Sequence, residues 1–163
     1  EVIFEDPIES MENDWVFFAS DSSLQGVTID KGNGDLALQI SNQVPNNPSI
    51  FGYWVKAIDQ PDIEVRSQLI LKSKVKLDTL SGRGISLVLR GDNFQNEESA
   101  FFVSTQNTLS ITGTTSNYNS YKLDLLDYFP EGVDRLFIFL TYLGNTTGTA
   151  TFDDIVIERH YRK

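Results

Sequence analysis

The chain has 163 residues, a formal net charge of −10 at pH 7 and 40% hydrophobic residues, which suits one domain with a single hydrophobic core. The strong negative charge opposes binding to nucleic acids and to anionic membranes. Cysteine is absent and the only histidine is His160, so disulfides, thiolate metal sites and a cysteine nucleophile are excluded, and a Ser-His-Asp triad has almost no histidine to draw on.

The first half of the chain consists of short apolar segments that alternate with a period of two and are separated by clusters of Gly, Asn, Asp, Ser and Pro. This pattern predicts the strands of an antiparallel all-β domain. A single helical turn is expected at residues 8–14, between the first two strands. The strands are predicted at 2–4, 15–18, 26–29, 36–40 and 49–58.

The second half continues the alternation and adds turn signals that are rich in glycine. A turn is predicted at 81–84 and a hairpin at 144–148. About ten strands without a repeat or a linker pack most economically as a two-sheet antiparallel jelly roll, which we assign to residues 1–158, with a basic tail at 159–163. The strands of this half are predicted at 69–77, 85–90, 101–103, 109–111, 121–125, 136–143 and 149–158.

Two adjacent carboxylates, Asp153 and Asp154, lie in the middle of the last predicted strand, whose two faces both carry apolar residues. An aspartate there is expected to be covered, and a buried carboxylate is costly unless it is paired or bound to a metal. No Lys, Arg or His lies within four residues along the chain, so the partner must come from elsewhere. A hard cation held by oxygen ligands is one candidate.

A series of short motifs stands along the chain in the order Phe4-Glu5-Asp6, 34–40, 51–55, 73–76, 81–85 and 148–155. Together they resemble the galactose-binding-like β-sandwiches, and within them the carbohydrate-binding modules attached to xylanases and glucanases. The resemblance covers nearly the whole chain, and its most specific part is the glycine-threonine hairpin that leads into Phe152-Asp153-Asp154-Ile155. It implies a two-sheet jelly-roll β-sandwich that binds carbohydrate and catalyses no reaction.

The resemblance also implies a structural calcium ion that ties the first strand to the last. Glu5 and Asp153 match the carboxylate ligands, and backbone carbonyls near Lys31 and Asn33, with the side chain of Asp35, would complete a shell of about six to eight oxygens. One divalent ion would thereby join three segments that are distant in sequence. The alternative is that Glu5 is exposed and that Asp153 caps a backbone turn.

Trp54 is the leading candidate for a ring that stacks on a sugar, because it alternates with Tyr53 and only one of the two is expected to be buried. If Trp54 faces outward, several basic residues occupy outer positions of neighbouring strands and form a basic patch for an anionic glycan, such as a uronate-bearing chain. The alternative is that these charges only solubilise the sheet. The basic residues are Lys56, Lys72, Lys74, Lys76 and Arg90.

The sequence thus predicts a non-catalytic, calcium-stabilised carbohydrate-binding module whose partner is a polysaccharide or oligosaccharide. The alternative is a structural or adhesion domain that contacts other domains of a larger surface protein and has no sugar site. A Trp54 packed in the core and a flat polar surface would favour that alternative. A hydrolase is a third interpretation, although adjacent carboxylates on one strand point to opposite faces and cannot flank a single bond.

The beginning of the sequence bears on where the protein acts. There is no initiator Met, no signal-peptide pattern and no apolar stretch long enough to span a membrane. We therefore expect an exported bacterial protein, secreted, periplasmic or at the cell surface, from which a targeting segment has been removed.

Overall fold

The computed structural model describes residues 1–9, 14–32, 34–42, 44, 48–64, 67–95, 98–106, 109–124 and 129–160 of the chain. Eleven β-strands and no α-helix lie in these ranges, and the described part therefore has no helix that could cross a membrane. The helical turn predicted at 8–14 falls mostly on residues 10–13, which lie outside the described residues. The strands are β1 (Val2–Asp6), β2 (Val16–Ala19), β3 (Leu24–Gly32), β4 (Asp35–Asn42), β5 (Gly52–Asp59), β6 (Gln68–Asn93), β7 (Glu98–Ser104), β8 (Ile111–Gly113), β9 (Asn119–Asp124), β10 (Arg135–Tyr142) and β11 (Thr146–His160).

The strands form two antiparallel sheets that share β6 and enclose one hydrophobic core. In the first sheet the order is β3–β4–β11–β6–β9, and β1 pairs with the C-terminal part of β11. In the second sheet the order is β2–β5–β10–β6–β7, and β8 also pairs with β6. The all-β, two-sheet antiparallel fold predicted from the sequence is therefore confirmed.

β6 is one strand of 26 residues, where the sequence predicted two strands joined by a turn at 81–84. Its first half pairs with β11 in the first sheet, and its second half pairs with β10 in the second sheet. The strand bends between the sheets at Gly82 and Gly84, whose φ angles are 92° and 83°. Glycine adopts these angles without a steric cost, and so one strand passes from sheet to sheet. The predicted turn is wrong because the glycines provide a bend and not a reversal of the chain.

The core lies between the two sheets and is filled by side chains that alternate along the strands. From β6 come Leu69 and Leu77, and from β10 come Leu136, Ile138 and Leu140, all at most 1% exposed. The inward faces predicted for these strands are confirmed. Because the opposite faces of the same strands point to solvent, the core also determines which side chains each sheet displays.

The two ends of the described chain meet, since β1 runs antiparallel to the C-terminal part of β11. The amino group of Glu1 donates a hydrogen bond to the carbonyl oxygen of Arg159 at 3.1 Å, and the amide of Arg159 donates one to the carbonyl oxygen of Glu1 at 2.7 Å. β11 continues to His160, and Arg159 is buried. The strand therefore extends beyond the domain boundary predicted at residue 158.

Candidate functional site

The outer face of the second sheet carries a cluster of aromatic side chains. Strand pairing places Phe18 opposite Tyr53 and Tyr53 opposite Thr141, while Phe139 and Phe137 follow at two-residue intervals along β10. Residues that lie opposite each other in antiparallel strands point to the same face, and alternate residues of a strand share a face. The surface formed by Phe18, Phe51, Tyr53, Arg90, Phe102, Phe137 and Phe139 is called the aromatic face below.

Tyr53 lies at the centre of the ring contacts on the aromatic face. Its ring stacks on Phe18 with the centroids 5.2 Å apart and meets the edge of Phe139 at 5.0 Å. Phe139 stacks in turn on Phe137 at 6.0 Å, and Phe51 contacts Phe18 at 6.1 Å. Aromatic pairs at such distances hold one another in place, so the aromatic face is a preformed apolar surface.

Arg90 joins the rings and lines a depression of about 270 Å³ on the aromatic face. The guanidinium carbon is 4.5 Å from the ring centroid of Phe137 and 5.2 Å from that of Phe139. Asp92 accepts hydrogen bonds from Nε of Arg90 at 3.0 Å and from Nη2 at 3.2 Å. This bidentate pair balances the positive charge and presents the guanidinium as a flat surface beside the rings. Polar side chains that line the same depression are Ser86, Gln106 and Thr141.

Trp54 is buried, so the stacking role predicted for it is wrong. Only 7% of Trp54 is exposed, its ring lies 5.3 Å from that of Phe17, and its Nε1 donates a hydrogen bond to the carbonyl oxygen of Gln39 at 3.2 Å. The cause is strand parity. Trp54 lies opposite Leu140, which points into the core, and its neighbour Tyr53 therefore faces outward.

The predicted basic patch does not form, because most of its lysines are paired with carboxylates and lie away from the aromatic face. Of the basic residues assigned to it, Arg90 alone lies on that face, while Lys76 is exposed on the first sheet. The paired lysines are Lys56 with Asp6 at 3.3 Å, Lys72 with Glu158 at 2.9 Å, and Lys74 with Asp154 at 3.2 Å.

Asp153 is buried at 1% exposure, and its partner is Lys31 near the end of β3. The Lys31 ammonium donates a hydrogen bond to Asp153 Oδ2, lies 3.2 Å from the carboxylate of Asp35 and stands 4.2 Å from the ring centroid of Tyr118. The other oxygen of Asp153 accepts a hydrogen bond from the amide of Asp154 at 2.9 Å. Burial raises the pKa of Asp153, and the hydrogen bond from Lys31 opposes that rise.

These contacts do not fit the predicted calcium site. Glu5 is exposed, and among the described residues no three acidic or histidine side chains are grouped so that they could hold a metal ion. Asn33 lies outside the described residues. Lys31, which was expected to offer only a backbone carbonyl, places its ammonium against Asp153 and Asp35 instead. Of the alternative, the exposed Glu5 agrees with the structure. Asp153 does not cap a turn, because it lies at a bulge within β11, pairs with Lys31 and accepts a hydrogen bond from the amide of Asp154.

The protonated forms of Lys31 and Tyr142 are favoured in the folded protein, and we expect stability to fall at alkaline pH. Burial raises the pKa of Tyr142. Burial lowers the pKa of Lys31, but the hydrogen bond to Asp153 and the nearby negative charges outweigh it, so the net shift is upward. As the pH rises above about 10, the unfolded chain releases these protons first, and folding then loses the stability that they contribute.

Urea unfolding of the full chain between about pH 8 and pH 11 measures this loss as a fall in the midpoint. Tyr142→Phe, which lacks the ionisable hydroxyl, should show a smaller fall than the unmodified protein. A midpoint that stays constant over this range would contradict the expectation.

Sequence reasoning missed Tyr53, Phe137 and Phe139 as surface residues. A usable signal was present in β10, where the two phenylalanines alternate with the aliphatic Leu136 and Ile138. Where one side of a strand is wholly aliphatic and the other is aromatic and polar, the aliphatic side is the better candidate for the core. Since β5 pairs with β10, that assignment would also have placed Tyr53 outside.

The fold is similar to that of carbohydrate-binding modules of known structure, and the resemblance read from the motifs is confirmed at the level of the fold. The chain is similar to the xylan-binding CBM22-1 domain of Paenibacillus barcinonensis Xyn10C, with a TM-score of 0.61 and 9% identity over 100% of this chain and 97% of that one. It is equally similar to the family 11 carbohydrate-binding module of the cellulosomal cellulase Lic26A-Cel5E of Clostridium thermocellum, with a TM-score of 0.61 and 14% identity over 100% and 99% of the two chains.

A third similar structure is part of an enzyme that is longer than this chain. The CBM22-1 and GH10 modules of Clostridium thermocellum xylanase 10B match with a TM-score of 0.61 and 14% identity, over 99% of this chain and 29% of that one. No protein-family model matches the sequence, and no curated protein is detectably similar to it. At identities this low, the structural similarity shows a common fold and nothing about the ligand. Ligand binding must be argued from the side chains of this chain.

Proposed function

We propose that this chain is a non-catalytic carbohydrate-binding domain of an exported protein and that it binds a neutral glycan on the aromatic face. The observation that carries the proposal is the continuous set of contacting rings that runs from Phe18 through Tyr53 to Phe139 and Phe137. Flat apolar rings stack on the C–H faces of sugars, and a few polar groups beside them bind the hydroxyls. Ser86, Gln106 and Thr141 supply such polar groups at the same depression.

The charge at the aromatic face favours a neutral ligand over an acidic one. Among the residues that the structure describes, Arg90 is the one cation that lines the depression, and Asp92 already accepts hydrogen bonds from two of its nitrogens. An acidic sugar would have to compete with Asp92 for the guanidinium, and it would approach a protein with a net charge of −10. The proposed ligand is therefore a neutral chain, in place of the uronate-bearing chain expected from the sequence.

The size of the aromatic face suits an oligosaccharide of several sugars. The face crosses β2, β5, β10, β6 and β7. With neighbouring strands about 4.8 Å apart, the four spacings between these strands give a width of about 19 Å. Proteins of the same fold have been solved with xylohexaose, with a β-1,3-1,4-mixed-linked tetrasaccharide and with β-1,4-galactotriose. These three neutral oligosaccharides are suitable probes.

Isothermal titration with the three neutral oligosaccharides and one oligouronate tests the proposal. We expect saturable binding of at least one neutral probe, and Tyr53→Ala should weaken it about tenfold or more because a central stacking ring is lost. Lys122→Ala changes an exposed side chain of β9 in the first sheet, on the other side of the sandwich, and is the control that should leave this binding unchanged.

Two results would overturn the proposed function. One is that none of the neutral probes binds the folded protein. The other is that Tyr53→Ala, shown by its melting temperature to be folded, binds as tightly as the unmodified chain. Preference for the oligouronate would overturn the neutral-ligand part alone.

A second candidate function is an adhesion or structural domain whose aromatic face packs against another domain. Two features favour it. Trp54 is packed in the core, and the apolar side chains of Val16 and Phe102 are 62% and 61% exposed. On this alternative the probes do not bind, and the isolated chain self-associates in sedimentation experiments through the same apolar surface. Tyr53→Ala would then reduce association instead of sugar binding.

A further inference from the structure

A second concave surface lies on the outer face of the first sheet, on the other side of the sandwich from the aromatic face. It encloses about 440 Å³, which is within the range of small-molecule sites. It is lined by side chains from β3, β4, β6 and β11 and by a residue of the segment before β9. The surface is called the polar groove. Its polar side chains are Gln39, Lys76, Asp78, Tyr118, Thr149 and Thr151, and Asp30 and Lys31 of β3 also line it.

Strand register builds the floor of the polar groove. Thr151 of β11 lies opposite Lys76 of β6 on one side and opposite Gln39 of β4 on the other. Thr149 lies opposite Asp78 in the next row of the same face. The Gln39 amide donates a hydrogen bond to the hydroxyl of Thr151 at 3.2 Å. The floor is therefore an array of side-chain hydroxyl and amide groups whose positions are fixed by the pairing of the strands.

Tyr118 forms a wall of the polar groove, and its ring is held by Lys31, which also lines the groove. The Lys31 ammonium lies 4.2 Å from its ring centroid, and that ammonium is tied in turn to Asp153 and Asp35. A cation near the ring face is attracted by the π-electrons, so the ring is positioned by a group that is itself fixed. The groove thus combines one oriented aromatic ring with a polar floor.

Four charged groups line the polar groove, and three of them, Asp30, Lys76 and Asp78, have no ion-pair partner among the described residues, whereas Lys31 is paired with Asp35 and Asp153. Lys76 and Asp78 are both exposed and lie two residues apart on one face of β6, or about 7 Å along the strand. Of the six lysines in the described part, Lys76 alone lacks an ion pair; Lys31, Lys56, Lys72, Lys74 and Lys122 each have a carboxylate within 4.0 Å. The Lys76 ammonium, a hydrogen-bond donor, and the Asp78 carboxylate, an acceptor, are thus both available to a ligand.

We propose that the polar groove is a second saccharide site that binds a single neutral sugar unit or the end of a glycan chain. In this site Tyr118 stacks on the sugar, Asp78 accepts hydrogen bonds from hydroxyls, and Lys76 donates to a ring or hydroxyl oxygen. Such charge-assisted hydrogen bonds are the stronger ones available to a neutral ligand. The ligand is neutral because the two cations and the two carboxylates that line the groove cancel. The ammonium groups of Lys31 and Lys76 oppose a calcium ion, and the carboxylates of Asp30 and Asp78 repel phosphate.

The choice of a sugar as the ligand rests on the proposed function, although the surface is a different one. With both sites occupied, one domain would bind two glycan segments on opposite sides of the sandwich. It would then bridge chains as well as attach to one of them, and its apparent affinity for a polymer would exceed that of either site.

The test is an NMR titration of the 15N-labelled full chain with galactose, glucose, xylose and arabinose. We expect saturable shifts of the Lys76, Thr149 and Thr151 amides with at least one of these sugars. Asp78→Ala should weaken this binding about tenfold or more, since it removes a charge-assisted hydrogen bond. Asp124→Ala, which removes a partly exposed carboxylate from β9, and Phe139→Ala, which alters the aromatic face, should leave it unchanged.

The inference is overturned if none of the four sugars shifts the groove amides, or if Asp78→Ala and Tyr118→Ala bind as the unmodified chain does. These outcomes leave oligosaccharide binding at the aromatic face intact, so that the two proposals fail separately. A second readout is the viscosity of a soluble mixed-linkage β-glucan, which a two-site domain raises by bridging chains. Asp78→Ala should lose that rise while it retains oligosaccharide binding in titration calorimetry.

Discussion

Lys31→Met is expected to lower the free energy of unfolding by about 3 kcal/mol, because it leaves the carboxylate of Asp153 buried without its cation. Asp153 is 1% exposed, whereas the Lys31 side chain keeps 24% exposure, and we therefore expect the lower end of the range for broken buried ion pairs. For a domain of this size the loss corresponds to a fall of about 6–12 °C in the melting temperature. Adding Asp153→Asn to Lys31→Met should recover part of the stability, because it removes the uncompensated buried charge.

Lys74→Met is the matched control for this experiment. Lys74 pairs with Asp154, the next residue along β11, but the two side chains are 55% and 37% exposed. An exposed ion pair contributes little, so the change should stay below about 1 kcal/mol. A Lys31→Met protein as stable as Lys74→Met would contradict the role of Lys31.

The same melting experiment also tests the structural calcium ion that the sequence resemblance implies. Since Lys31 already pairs with Asp153, we expect EDTA or added calcium to leave the melting temperature of the unmodified protein unchanged. In Lys31→Met the two carboxylates of Asp153 and Asp35 lose their cation, and any calcium-dependent rise should appear there first. A large fall on adding EDTA to the unmodified protein would restore the calcium site predicted from the family.

Gly82→Ala is expected to destabilise the fold by about 3 kcal/mol or more, because two penalties act together. The φ of Gly82 is 92°, a backbone angle that residues other than glycine adopt only at a steric cost. A Cβ at this position would also overlap the backbone carbonyl of Asn145, which belongs to the turn before β11 and cannot move as a side chain would. Chemical denaturation of the purified variant measures the loss.

Gly113→Ala separates these two penalties. Its φ is 108°, similar to that of Gly82, but no atom lies within 4 Å of a Cβ built there. It should therefore cost only the backbone term, about 1 kcal/mol. Equal losses in the two variants would mean that the bend of β6 tolerates a side chain, and the account of how the strand changes sheets would then be wrong.

Local pattern predicted the strands well, and the reason is physical. Alternation along β10 and along the first half of β6 records burial on one face, which both sheets require. It does not record whether a glycine pair bends a strand or reverses it, and so the continuous β6 was predicted as two strands. The distinction depends on which strands pair with the two halves of β6, and these strands, β11 and β10, are remote in sequence.

The site was predicted less well, because it depends on which strands are neighbours. For β5 alone, Trp54 and Tyr53 are equally good candidates for the surface, and only the pairing with β10 decides between them. The cation of Asp153 lies 122 residues away in sequence, at Lys31, and no spacing rule reaches that far. The prediction that a partner must come from a distant segment was sound, but the chemical identity of the partner followed only from the fold.

The placement of β11 has a consequence for how the protein is made. β11 is the last strand of the described chain, yet it pairs with β1, β4 and β6 and so lies inside the first sheet. During synthesis the edges of β4 and β6 stay unpaired until β11 leaves the ribosome, and unpaired edges readily join the wrong partner. We therefore expect the domain to complete its folding only after β11 has been made, and a protein shortened before β11 to aggregate instead of forming a smaller stable domain.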